Sequence, residues 1–108
     1  MQHLDLYHVL AVAARVMDCD SGSVIRCTDL ELVHQVLDEV RSPPTAGDLA
    51  DAAAVLLSGL IRRSPFQGPN RVIAVAVTLQ FMALNGADLE LEPVEEFDAW
   101  LDQPRQPR

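Results

Sequence analysis

The stretch RRSPFQGPNRV, residues 62–72, holds the residues of this chain that are best suited to binding an anion. A helix N-terminus presents unpaired backbone N–H groups and the positive end of the helix dipole, and both favour phosphate. Gly68 would let the backbone turn tightly before such a helix, while Asn70 and Arg71 would add side-chain donors. The pattern predicts a phosphate or anion site at these three residues, with the Ser64 hydroxyl at the start of the same loop.

The same stretch also suits a plain connection between two helices. Pro65 and Pro69 would end one helix and begin the next, and Gly68 would supply the turn. Arg71 would then be an ordinary solvated arginine. Both interpretations are open from these residues alone, and the plain connection is favoured.

The segments before the loop show helical patterns. Apolar residues recur at helical spacing over about 4–17 and about 30–41, which predicts a helix at each place. The sequence DCDSGS between them is rich in turn formers. TDLE has the form of a capping box, with Thr28 as the N-cap and Glu31 three residues later.

A third helix is predicted to precede the loop directly. SPPTAG interrupts the chain, and Thr45 followed by Asp48 resembles another N-terminal cap. The apolar stripe that follows predicts a helix ending near Arg63, with two arginines in the last turn beside the negative end of the helix dipole.

The segment after the loop is apolar almost all round and rich in β-branched residues, so a buried strand is an alternative. The run is longer than an ordinary buried strand, and Asn85 with Gly86 supplies a helical C-terminal signal. We therefore predict a buried central helix over about 70–85 in an all-α fold.

The C-terminal part adds weaker patterns. Alternation near 88–92 favours at most a short extended flap, and Pro93 opens a helix predicted to run through about Asp102. Residues 1–103 are predicted to form a single domain, and residues 104–108 a frayed tail.

The stretch from Asp48 to Gly86 resembles the Fic/Doc (Fido-fold) family, in particular the short Doc-type toxins. Their motif His-Pro-Phe-x-Asp-Gly-Asn-Lys-Arg lies between two helices, and SPFQGPNRV aligns with it without a gap. IAVAVTLQFMALNG follows at the family's spacing. DLADAAAVLLSGLIRR resembles the helix before the motif, and DLELVHQVLDEV resembles an earlier one. The resemblance implies a compact helical bundle and a relative of enzymes that transfer AMP or phosphate to a protein hydroxyl.

The chain departs from that motif at the catalytic positions. Ser64 replaces the histidine that serves as general base, and a serine hydroxyl is no base near neutral pH. Gly68 replaces the acidic residue that holds magnesium, and it offers no metal ligand. Pro69 replaces a glycine and lacks an N–H donor, and Val72 replaces the final arginine. The resemblance therefore implies a family scaffold without its catalytic groups.

Other motif residues persist. Pro65, Phe66 and Asn70 match the family, and Arg71 stands in place of its lysine. Activity would need a replacement base, and Ser64 with one of the three histidines would make a nucleophile pair, although nothing in the sequence places them together. The three histidines lie on the first two predicted helices, where His8 is expected to flank the core and His34 to be solvated.

Charge and composition exclude several function classes. The formal net charge is −8 and all eight basic residues are arginine, so direct binding to nucleic acid is not expected. His3 and His8 lie off the i, i+4 spacing of helical metal ligands, and Cys19 and Cys27 are too few for a structural zinc site, so no metal site is predicted. No apolar run reaches the roughly 18 residues of a membrane span, and no signal peptide is evident, so a cytoplasmic location is expected.

Three interpretations remain, and one of them is an all-α interaction domain that is unrelated to the Fic/Doc family. The first is a degenerate Doc-like protein derived from a toxin–antitoxin module, acting by binding and without a cofactor. By family resemblance its partner would be an antitoxin-like protein or a translation factor, and self-association stays open. The alternative is an active transferase with non-standard catalytic residues that uses ATP or another nucleotide with magnesium.

Overall fold

The computed structural model describes residues 1–42 and 47–87, and these form an all-α bundle. The helices of this part of the chain are α1 (Leu6–Met17), α2 (Ser21–Arg26), α3 (Leu30–Arg41), α4 (Leu49–Arg63) and α5 (Asn70–Leu84). The predicted all-α fold is confirmed, and four of the five helices match predicted ones.

The N-terminus of α1 is set by a side-chain cap. Asp5 Oδ1 accepts a hydrogen bond from His8 N at 3.0 Å, and His8 Nδ1 accepts one from Asp5 N at 3.2 Å. The exchange satisfies backbone donors at the start of the helix. His8 is consequently exposed, and the expectation that it flanks the core was wrong.

The short helix α2 occupies the segment that was predicted to be a turn. Asp18 ends α1 in the left-handed region at φ 53°, and Asp20 Oδ1 then accepts from Ser23 N at 2.8 Å to start α2. A helix of six residues is too short to show apolar periodicity, so its caps look like turn formers in the sequence.

At two helix starts, the N-cap is a different residue from the predicted one. Asp29, and not Thr28, caps α3 by accepting from Leu32 N, while the Thr28 hydroxyl donates to Val24 O at 2.6 Å. Asp48 itself caps α4 through Ala50 N and Asp51 N. The predicted cap Thr45 lies outside the described residues.

The core is aliphatic and centres on α5, which packs against α4 and α1, while α3 packs against α4. The buried residues of α5 are Ile73, Ala74, Val75, Val77 and Phe81. The helix ends at Leu84, and Gly86 follows in the left-handed region at φ 76°, as the Asn-Gly signal predicted.

A glycine permits the close packing of α3 on α4. A Cβ atom at Gly59 would lie 3.0 Å and 3.2 Å from the two methyl carbons of Val36, which is fully buried. A side chain at position 59 would require Val36 to shift by a few tenths of an ångström.

The predicted flap near 88–92, the helix from Pro93 and the tail at 104–108 lie outside the described residues, and the one-domain assignment remains a prediction. Within residues 1–42 and 47–87, no helix is long and apolar enough to cross a bilayer.

Candidate functional site

The loop between α4 and α5 is attached to the junction of α2 and α3. Asp29 N donates to Pro65 O at 2.8 Å, and Gln67 N donates to Cys27 O at 2.8 Å. These bonds form a short antiparallel bridge between Thr28 and Phe66. The motif loop is therefore held by backbone pairing to a part of the chain that is distant in sequence.

Asn70 closes the loop from the other side. Its Oδ1 accepts from Phe66 N at 2.9 Å, and its Nδ2 donates to Phe66 O at 2.6 Å and to Gly68 O at 3.2 Å. Both ends of the amide are thus bonded to the backbone of its own loop. This asparagine fixes loop shape, which is the structural role that an asparagine can fill at a tight turn.

The two hydrophobic residues of the loop anchor it to the core. Pro65 is buried, and the Phe66 side chain is only 3% exposed within the core cluster. Their burial holds the loop against the bundle independently of any ligand.

Ser64 ends α4 in the left-handed region, at φ 46°. Its N–H donates to Leu60 O at 3.0 Å, and its hydroxyl donates to Ile61 O at 3.1 Å. The hydroxyl proton is therefore engaged with a backbone carbonyl of the preceding turn and not with an imidazole. A serine activated for nucleophilic attack would need the opposite arrangement, with a base accepting that proton.

The histidines that were considered as a substitute base for Ser64 lie elsewhere in the fold. The ring of His3 stacks on Phe81, in the last turn of α5, whereas the loop precedes the first turn. His8 pairs with Asp5 at the start of α1, and His34 is exposed on α3, as predicted.

Gly68 lies close to the side chain of Met17, at the end of α1. Its φ lies outside the left-handed region, so a tight glycine turn does not explain it. A Cβ atom at this position would instead lie 2.8 Å from Met17 Sδ and 3.4 Å from Met17 Cγ. A side chain at position 68 would therefore need the flexible end of Met17 to shift.

The start of α5 has no side-chain cap. Pro69 occupies the N-cap position, Asn70 N donates to Gly68 O at 2.8 Å, and the first helical bond runs from Ile73 N to Pro69 O. Arg71 is exposed in the first turn, where its charge adds to the positive end of the helix dipole. Arg63, in contrast, forms an ion pair with Glu39 of α3.

An open cleft of about 340 Å³ lies beside the loop. Its walls come from the α2–α3 junction and from residues 64–67, and they include the exposed charges of Arg26 and Asp29 and the half-buried thiol of Cys27. The residues from the junction were not predicted to belong to a site, because only the backbone bridge brings them beside the loop.

Among the described residues, no group of three or more histidine, cysteine or acidic side chains is placed to hold a metal ion. Cys19 and Cys27 are both free thiols.

Comparisons with known proteins found no matching family model, no matching curated protein and no matching solved structure. The resemblance to the Fic/Doc family therefore depends on the motif residues and their spacing.

Proposed function

We propose that this chain is a Doc-like protein that has lost the transfer chemistry of the Fic family and acts by binding a protein partner. The observation that carries the proposal is the hydrogen bonding of the motif loop. The polar side chains of Ser64 and Asn70 both bond to the backbone of their own chain, so the motif serves the fold.

The surroundings of Gly68 support the loss of metal-dependent catalysis. Magnesium in phosphoryl transfer is held by oxygen ligands and neutralises the charge on the phosphates. A Cβ atom at position 68 would lie 2.8 Å from Met17 Sδ, which is too close unless the flexible end of Met17 shifts. An acidic residue could enter only if Met17 moved.

The persistence of Pro65, Phe66 and Asn70 supports a retained scaffold. Two of these residues are buried and the third closes the loop, so each has a structural reason to be kept without catalysis. A loop that is rigidly held beside an open cleft is suited to binding.

We expect the partner to contact this cleft. The family resemblance suggests an antitoxin-like protein or a translation factor, and it also suggests a cytoplasmic location. Arg26 and Asp29 offer opposite charges on the cleft wall, which would orient a polar partner more than strengthen its binding.

The first test addresses catalysis. The protein is titrated calorimetrically with ATP, GTP, CTP and UTP in the presence of magnesium, and is then incubated with labelled ATP and cell lysate. We expect neither micromolar nucleotide binding nor label transfer. Transfer that disappears in Arg71→Ala, a variant of an exposed side chain, would overturn the proposal and establish the transferase alternative.

The second test addresses binding. A candidate antitoxin-like protein or translation factor is titrated against the wild type, Arg26→Glu and Arg15→Glu. Both arginines are exposed in the last turn of a helix, but only Arg26 lines the cleft. We expect at least tenfold weaker binding for Arg26→Glu alone. Equal binding by all three proteins would exclude the cleft as the contact surface.

A further inference from the structure

Residues 1–4 lie across the C-terminal ends of α3 and α5. The backbone of Gln2 pairs with the side-chain amide of Asn85, through Gln2 N to Oδ1 at 2.7 Å and Nδ2 to Gln2 O at 2.8 Å. Arg41 Nη2, at the end of α3, donates to Leu4 O at 2.7 Å. Leu4 is 2% exposed and anchors the segment in the core.

His3 lies between these anchors. Its ring centroid is 6.2 Å from that of Phe81, and the two ring planes are inclined by 23°. Its Nδ1 atom is buried and has no hydrogen-bond partner in the part of the chain that the structure describes. A protonated ring would carry an N–H group at this atom, and a buried charged donor without an acceptor is strongly disfavoured.

The charges around His3 act in the same direction. Two positive charges lie near the ring: the guanidinium of Arg41, which donates to Leu4 O, and the amine of Met1. From α5 the ring meets the aromatic face of Phe81. The Asp5 carboxylate is engaged at the start of α1. Burial, followed by Arg41 and the amine, holds the pKa of His3 below its ordinary value of 6.5.

We propose that residues 1–4 form a pH-sensitive latch, which is closed over the ends of α3 and α5 while His3 is neutral and opens when His3 becomes protonated. Protonation places a second positive charge near Arg41 and leaves a buried, unpaired N–H group at Nδ1. Release of the segment moves the ring into water, where both nitrogen atoms can donate.

The stability of the closed latch depends on pH because the pKa of His3 is lower when the latch is closed than when the ring is in water. A histidine with a lowered folded-state pKa stabilises the closed latch fully above pH 6.5, and this stabilisation is lost as the pH falls through the folded-state value.

Nuclear magnetic resonance of the full chain between pH 7.5 and pH 5 tests the latch. We expect the His3 ring to titrate with a midpoint below 6.5, and the ring contacts between His3 and Phe81 to disappear with the same midpoint. The amide signal of Gln2 should move with them, while the methyl signals of Leu56, fully buried in α4, should not change.

Two variants make the test specific. His3→Phe keeps an aromatic ring but cannot be protonated, so its Gln2 amide signal should be independent of pH. Asn85→Ala should open the latch at every pH. A His3 midpoint at or above 6.5, or ring contacts that survive protonation, would overturn the proposal.

Discussion

The side-chain amide of Asn70 pairs with both backbone polar groups of Phe66, accepting from its N–H at 2.9 Å and donating to its C=O at 2.6 Å. Asn85 forms the same paired arrangement with Gln2. The two asparagines stand at opposite ends of α5. Each end of the central helix thus binds the backbone of another segment through a side-chain amide that both accepts and donates a hydrogen bond.

The pairing at Phe66 predicts that Asn70→Ala destabilises the protein. The change leaves the N–H and C=O of Phe66 without these partners in a half-buried loop, and losing such partners costs about 1–3 kcal/mol. Chemical denaturation measures the loss in the free energy of unfolding.

Gln67→Ala is the matched control, since Gln67 is exposed in the same loop. We expect this control to lie within about 0.5 kcal/mol of the wild type. Equal stability of Asn70→Ala and the control would show that the amide does not hold the loop.

The close approach of Gly59 to Val36 predicts that Gly59→Ala changes the free energy of unfolding in opposite directions in the wild type and in the Val36→Ala variant. Alanine is favoured over glycine in a helix by about 1 kcal/mol, but a Cβ at position 59 would meet both methyl carbons of a stiff, buried valine. We expect Gly59→Ala to destabilise the wild type by about 1 kcal/mol, and to stabilise the Val36→Ala variant by up to about 1 kcal/mol.

Gly22 provides the control for that comparison. It also lies in a helix, but a Cβ there would meet its nearest neighbours at 3.5 Å, an ordinary contact distance. Gly22→Ala should therefore stabilise the protein by about 0.5–1 kcal/mol in either background. A Gly59→Ala variant that behaves like Gly22→Ala would contradict the packing described for α3 and α4.

The acidic caps of α1 and α2 predict a dependence of stability on pH. The backbone N–H of His8 holds the pKa of Asp5 below 3.8, and that of Ser23 does the same for Asp20. The caps stabilise the fold fully above pH 3.8, and their contribution is lost as the pH falls through the lower folded-state values.

Thermal unfolding of the wild type and of Asp5→Asn/Asp20→Asn, from pH 6 to pH 2, measures this contribution. Asparagine still caps a helix but does not titrate there. The advantage of the wild type in Tm should shrink below pH 3.8. An advantage that is constant, or that grows with acid, would show that the two carboxylates do not titrate as described.

Helices with a long apolar stripe were predictable from the sequence, and short or distant relationships were not. The extent of α5 followed from its length and from the Asn-Gly signal, because both are local. The position of α2 did not, since six residues carry no measurable period. Thr28 and Asp29 are adjacent and both suit the N-cap of α3, so only the backbone geometry shows that Asp29 is the cap.

The candidate site was predictable only in part for the same reason. The residues of the loop could be named from the motif, but the cleft depends on the backbone pairing of Phe66 with Thr28. Likewise, Gly68 suggested a turn, whereas its actual constraint is Met17 on another helix. Contacts between residues far apart in the sequence leave no periodic signal in either segment.

The contact between Met17 and Gly68 predicts how the motif would respond to restoration. Ser64→His/Gly68→Asp/Pro69→Gly/Val72→Arg introduces four residues of the Fic/Doc motif that residues 64–72 resemble, and leaves Arg71 in place of its lysine. Since a Cβ at position 68 would lie 2.8 Å from Met17 Sδ, Met17 must shift to admit the aspartate, and we expect only weak transfer of labelled phosphate or AMP. Adding Met17→Ala should raise the transfer at least tenfold by making room for the aspartate.

Met82→Ala is the matched control because Met82 is half-buried on another helix, and it should leave the transfer unchanged. Full activity in the restored variant without a change at Met17 would show that this contact does not obstruct a metal ligand at position 68.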